Sequence, residues 1–156
     1  GPVISSKQRQ RVMELVNSGL EQGGELIAGG KALDSAGYFI TPTIIANPRP
    51  DSRIIREEVF GPVLTVIGFD DREAAIADAN DSTYGLASPV WTMDLTKAHL
   101  LAKRIQAGFV WINTPPYADI ALPGGGYKQS GWGREQGLEG LDAYLQTKTV
   151  YAGLQV

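Results

Sequence analysis

The 156-residue chain has 43% hydrophobic and 20% charged residues, the balance of a globular domain with a real core. Its 17 acids and 14 bases leave a net charge of −3, too mild to direct the chain to nucleic acid or an anionic membrane. With no cysteine and a single histidine, His99, the chain alone can supply no disulfide, no thiolate metal site and no cysteine nucleophile.

The opening Gly1-Pro2-Val3-Ile4 has neither a basic head nor a long apolar stretch, so no signal peptide is expected. No apolar run approaches the roughly 20 residues that span a bilayer. A cytoplasmic location is expected. The start without Met, leading at once into a capped helix, suggests a piece of something longer.

Ser5 with Gln8 forms a capping-box pattern, and Val12, Leu15, Val16 and Leu20 follow at helical spacing. Gly23-Gly24 ends that helix. Glu25 to Ala28 reads as a short strand turned by Gly29-Gly30. Tyr38 to Ile45 reads as extended, with Pro42 pushing it toward an edge, and residues 47–51 form a loop. Val63 to Phe69 is a nearly continuous apolar run, expected as a strand buried on both faces.

Asp70 with Glu73 predicts a capped helix through Ala79. Leu86 to Thr92 is a strand candidate. Asp94 caps a helix that carries Leu95, Ala98, Leu101, Ala102 and Ile105 on one face. Gly108 ends it before a further strand, Phe109 to Ile112. This strand–helix–strand–helix–strand order with short joins is the grammar of a doubly wound, mostly parallel α/β sheet. Trp91 and Trp111 are expected in the core, and His99 is an ordinary helix-surface histidine. Thr114 to Ser130, with Pro115, Pro116, Pro123 and Gly124-Gly125-Gly126, is too long to be a plain connection. A helix from about Arg134 to Leu145 and a β-prone end, Gln146 to Leu154, close the chain. There is no repeat and no clear internal boundary. The expected division is a main body over 1–145 and a terminal strand and tail over 146–156, available to pair with a partner subunit.

Three segments can carry chemistry. In Glu57-Glu58-Val59-Phe60-Gly61-Pro62, a carboxylate at the mouth of a parallel sheet can accept ribose hydroxyls, and an adjacent Phe offers a flat apolar face. The same residues also suit a charged helix end and a core ring. The Gly124-to-Glu135 stretch is Gly-rich and precedes a predicted helix, but it lacks the P-loop ending and misses the dinucleotide fingerprint by one position. A structural loop is the better reading. Asn113, at the end of a predicted strand, can orient a polar ligand or satisfy its own backbone.

Taken together, Glu57-Glu58-Val59-Phe60-Gly61-Pro62-Val63, Asn80-x-x-x-Tyr84-Gly85-Leu86-Ala87, Gly108-x-Val110-Trp111-Ile112-Asn113, Gly125-Gly126-Tyr127-Lys128-x-Ser130-Gly131-x-Gly133-Arg134-Glu135 and Lys148-Thr149-Val150 resemble, in order and spacing, the aldehyde dehydrogenase superfamily. The resemblance places the chain in the carboxy-terminal portion of such an enzyme. It implies oxidation of an aldehyde to a carboxylic acid with NAD or NADP. A cysteine thiolate attacks the aldehyde, the hemithioacetal passes hydride to the cofactor, and water cleaves the thioester with help from a Glu base. Cysteine and base both precede the matched region, so this chain alone is expected to be inactive.

The resemblance assigns Glu58 to the nicotinamide ribose and Phe60 to the nicotinamide ring. Asn113, Ala118 and Gly124 fall in the region lining the aldehyde pocket. There the family commonly has Pro-Phe-Gly-Gly where this chain has Pro123-Gly124-Gly125-Gly126, and Ala118 stands at a second position that is often aromatic. Loss of both rings implies a pocket open to a bulky aldehyde. The run Asp119-x-Ala121-Leu122-Pro123, with Gln129-Ser130-Gly131-Trp132, looks most like bacterial members acting on aromatic aldehydes. In the family the last strand adds to a sheet of a neighbouring subunit, which implies a dimer or tetramer. Two alternatives stay open: a non-catalytic chain that docks on full-length subunits, and a CoA-acylating or semialdehyde dehydrogenase.

Overall fold

The structure, a computed structural model, describes residues 1–153. It is α/β and divides into two compact units, Gly1–Asp71 and the segment from Arg72 onward. The sequence showed no break at this point.

The first unit begins with α1 (Ser6–Glu21). Ser5 Oγ accepts from Gln8 N at 3.1 Å, and Val12, Leu15, Val16 and Gly19 form its buried stripe. This is the spacing that places one apolar face on a helix. The helix stops where Gly23 turns to φ +94°, and Gly24 N closes the end on Gly19 O at 2.9 Å. β1 (Glu25–Ala28), β2 (Thr43–Ala46) and β3 (Val63–Val66) then form a sheet in that order. β1 is antiparallel to β2, with a register shift between Leu26 and Ala28. β2 runs parallel to β3, from Thr43 beside Val63 to Ala46 beside Val66.

Val12, Val16, Ile40, Ile45 and Ile54 pack as the core of this unit. Each such buried aliphatic side chain contributes about 1.5–3 kcal/mol. The four-residue α2 (Arg53–Arg56) presses Ile54 so close to α1 that a Cβ on Gly19 would lie 2.9 Å from its Cγ2. Gly19 is therefore a packing residue.

The second unit contains α3 (Arg72–Asn80), β4 (Ala87–Val90), α4 (Leu95–Arg104) and β5 (Phe109–Ile112). β4 and β5 are parallel, from Ala87 beside Phe109 to Val90 beside Ile112, with α4 as the crossover. Asp94 caps α4 through Lys97 N at 3.0 Å, which holds the Asp94 carboxyl below its ordinary value. Ala98 is buried on the predicted face, while Leu95 stays exposed and His99 lies on the surface. Asn80 joins the ends of both helices: its Oδ1 accepts from Gln106 N at 2.8 Å and its Nδ2 donates to Arg104 O at 3.0 Å.

Four expectations are corrected. The apolar run after Pro62 is a strand only over Val63–Val66, and it is not buried on both faces: β3 is an edge strand, and Leu64, Val66, Ile67 and Phe69 are exposed. The three C-terminal strands do not form one sheet, because β3 pairs in the first unit and β4 with β5 in the second. Trp91 is 64% exposed and not a core residue. The α-helix from Arg134 to Leu145 is absent, and Glu139–Tyr144 is a 3-10 turn. Left-handed backbone at Gly133, Gln136 and Gly137 interrupts any helical path. Glu135 instead forms an antiparallel bridge with Gly124, by hydrogen bonds of 2.7 and 2.8 Å. Residues 146–153 have no β pairing among the described residues, and Leu154, the end of the expected strand, lies outside them. No helix among the described residues is long and apolar enough to cross a membrane.

Candidate functional site

The Glu57-to-Gly61 segment follows α2 and lies on α1. Glu57 accepts from Arg53 Nε at 2.6 Å and from Arg11 Nη2 at 3.1 Å. The Arg53 hydrogen bond is the main cause that holds the Glu57 carboxyl below its ordinary value, and Arg53 is raised in return. Gln8 reaches across from α1, its Nε2 donating to Val59 O at 3.1 Å and to Phe60 O at 3.0 Å. A Cβ on Gly61 would meet Val12 Cγ2 at 2.6 Å, so only glycine lets the backbone come this close to α1.

These anchors separate the two acids. Glu57 is structural. Glu58 is exposed and makes no hydrogen bond or ion pair among the described residues, so its carboxylate is free to accept from a ligand. Phe60 is 73% exposed and sits in left-handed backbone at φ +51°. A bulky residue in that region is strained, and such strain is held only where the surroundings over-determine it. A free carboxylate and an open ring on one rigidly pinned turn fit a polar hydroxylated group joined to a flat ring. Gln8 and Arg11 were missed by sequence reasoning. Gln8 was legible as a capping-box partner, but its side chain leaves the cap and holds the turn instead.

In the second unit, Asn113 ends β5 with φ +54°. Its Oδ1 accepts from Thr92 N and its Nδ2 donates to Thr92 O, both at 2.8 Å. The side-chain amide thus extends the parallel ladder by one step beyond Val90 and Ile112, and both of its polar atoms are used on backbone. The amide bonds to the backbone of Thr92, just beyond the neighbouring strand, rather than to that of Asn113 itself.

Ala118 and Gly124 line one cavity of about 810 Å³ with Phe109 and Trp132. Asn113 does not line it. The floor is the glycine-rich loop. It is sewn to the end of β4: Gly85 N donates to Ser130 Oγ at 2.9 Å, and Gly85 O accepts from Gly108 N at 3.0 Å and Tyr127 N at 2.8 Å. Lys128 Nζ donates to Asn80 O at 2.6 Å and Ser82 O at 3.1 Å, a cation at the C-terminal end of α3. Among the described residues no group of His, Cys, Asp and Glu is arranged to hold a metal.

The aldehyde dehydrogenase family model matches residues 1–150. The chain belongs to the aldehyde dehydrogenase family.

A betaine aldehyde dehydrogenase of Rhizobium leguminosarum is 44% identical over 157 residues, which cover 99% of this chain and 32% of that protein. Among solved structures, an NAD+ complex of the aldehyde dehydrogenase from Bacillus cereus superposes with a TM-score of 0.94 at 42% identity, over 99% of this chain and 32% of that one. A mutant indole-3-acetaldehyde dehydrogenase of P. syringae, in complex with NAD+ and IAA, gives a TM-score of 0.93 at 42% identity, again over 99% and 32%. The chain therefore spans about a third of the length of the relatives it matches. As an aldehyde dehydrogenase family member, it carries its recognisable blocks at two kinds of place. Asn80, Gly85, Gly108, Lys128 and Ser130 are girders of the second unit, whereas the side chains of Glu58 and Phe60 are exposed, and Glu58 makes no hydrogen bond or ion pair among the described residues.

Proposed function

We propose that this chain is the carboxy-terminal part of an NAD(P)+-dependent aldehyde dehydrogenase that oxidises a bulky or aromatic aldehyde to its carboxylic acid. The family match over residues 1–150 carries the reading. The free Glu58 carboxylate supports its cofactor half, and the NAD+ bound in the solved B. cereus and P. syringae relatives agrees with it.

When bound, NAD(P)+ supplies the acceptor for the hydride that leaves the aldehyde carbon. The residues of this chain position it. Ribose hydroxyls would donate to Glu58, a charge-assisted and directional grip. The Phe60 ring would bound the space open to the nicotinamide, and hydride transfer depends on such positioning. Gln8 and Arg11 keep that turn on α1. Ala118 adds little to the lining of the second-unit cavity, which favours a bulky group, while the Phe109 ring fills the space beside Gly124 and Asn113 keeps the end of β5 in register. The cysteine nucleophile and the Glu base belong to the remainder of the polypeptide. The segment from Gln146 would pair with a second subunit as an added strand, giving a dimer or tetramer, and the location would be cytoplasmic.

The test is the intact mass of the natural polypeptide taken from its source cells, followed by product analysis with NAD+ or NADP+, with and without CoA. A longer chain with a cysteine upstream of Gly1, forming free acid from an aromatic aldehyde, is expected. A natural polypeptide without a cysteine would overturn the reading, and an acyl-CoA product would move it to the acylating class.

A further inference from the structure

The cavity of the second unit has a wall that the glycine loop does not supply. Phe109 stands on β5, its backbone N hydrogen-bonded to Leu86 O at 2.9 Å. Its ring stacks on Trp111, with centroids 5.2 Å apart and planes 3° from parallel. Trp111 is fixed in turn by its Nε1, which donates to Tyr117 O at 3.0 Å. A ring held by the strand, the stack and the loop has one place to be.

That place is the space beside Gly124. A Cβ on Gly124 would lie 2.5 Å from Phe109 Cζ and 3.2 Å from Cε1. No side chain at 124 can coexist with this ring position, so the two residues are a matched pair: the missing side chain admits the ring. Ala118 adds only a short side chain to the lining, and the cavity of about 810 Å³ is far larger than the ring itself.

We infer that Phe109, admitted by Gly124, is the specificity-determining wall of this cavity and selects aldehydes carrying a flat aromatic group; the inference rests on the dehydrogenase reading above. An aromatic pair in offset or edge contact adds roughly a two- to tenfold preference beyond the area it buries. An aliphatic chain gains none of it.

The test compares benzaldehyde with propanal in the full-length polypeptide that carries this sequence. Phe109→Leu is expected to lower the ratio of their kcat/KM values about two- to tenfold, mostly through KM for benzaldehyde. Gly124→Ala displaces the ring without removing it and lowers the ratio in the same direction. The two changes together lower it no further than Phe109→Leu alone, because the Cβ then has no ring to meet. Equal ratios in the parent and Phe109→Leu, or additive effects of the two changes, would overturn the inference while leaving the dehydrogenase reading intact. Should Phe109→Leu fail to fold, an unchanged ratio in Gly124→Ala overturns it equally. If the parent oxidises no aldehyde, the dehydrogenase reading falls, and calorimetric titration with benzoate decides the wall by itself. Weaker binding in the variants supports it; equal binding, or none in the parent, refutes it.

Discussion

Replacing Gln8 by Met keeps the length and helix propensity of the side chain and removes its amide. The Phe60 turn then loses both hydrogen bonds from α1, to Val59 O at 3.1 Å and Phe60 O at 3.0 Å. Each such bond contributes about 0.5–1.5 kcal/mol net, and exposure of the Phe60 bond puts the pair near the lower end, about 1–1.5 kcal/mol together. The turn also holds Phe60 in left-handed backbone at φ +51°. The lost energy is therefore expected to appear as relaxation of that one turn. If all of it went into disordering the turn, a ligand needing the ordered turn would bind about five- to tenfold more weakly. In the full-length polypeptide, Gln8→Met should raise KM for NAD+ by up to that factor, with a small fall in Tm. The Ser5 cap, which uses Gln8 N and not its side chain, is retained. A fall in Tm with an unchanged KM for NAD+ would refute the idea that Gln8 serves the site.

Three further outcomes are expected. Glu57 has its folded value lowered below the ordinary 4.5, chiefly by the Arg53 hydrogen bond. Its contribution is thus fully present above 4.5 and is lost as the pH falls through the folded value, so Glu57→Gln should flatten the acid limb of a stability-versus-pH curve and leave the neutral-to-alkaline limb parallel to the parent's. Gly108→Ala should cost about 1–3 kcal/mol in urea unfolding, at the upper end, because the added Cβ would run into the Gly125 carbonyl and backbone yields less than a side chain. Asn113→Ala should cost about 2–3 kcal/mol, from two lost bonds to Thr92 and a left-handed φ that Ala tolerates poorly, and Asn113→Gly, which relieves the second cost, should be measurably milder.

Elements whose causes are local were legible in the sequence. α1 follows from Ser5 and the Val12, Leu15, Val16 stripe, and α4 from Asp94 and Ala98. The β4–α4–β5 crossover follows from its punctuation by Gly85 and Gly108. What was not legible depends on distant partners. The Arg134-to-Leu145 segment has helical composition, but the bridge from Glu135 to Gly124 and the left-handed Gln136 and Gly137 commit its backbone elsewhere. The burial of β3 was misjudged because an apolar run does not say what covers each of its faces. Glu57 and Glu58 are identical as sequence; only Arg11, 46 residues away along the chain, and Arg53 tell them apart. Asn113 was recognised as a site residue through the family resemblance, yet its amide is spent on Thr92. Phe109 drew no attention in the sequence because its role depends on the missing side chain at Gly124.

Glu58 is proposed as the ribose grip of an NAD(P)+-dependent aldehyde dehydrogenase. The most direct measurement is KM for NAD+, with an aromatic aldehyde saturating, in the full-length polypeptide and its Glu58→Gln variant. Loss of hydrogen bonds to a charged acceptor, about 1.5–3 kcal/mol, predicts a rise of roughly ten- to hundredfold. Tm without cofactor should not change, because Glu58 has no partner among the described residues. An unchanged KM for NAD+ would mean that Glu58 does not hold the ribose.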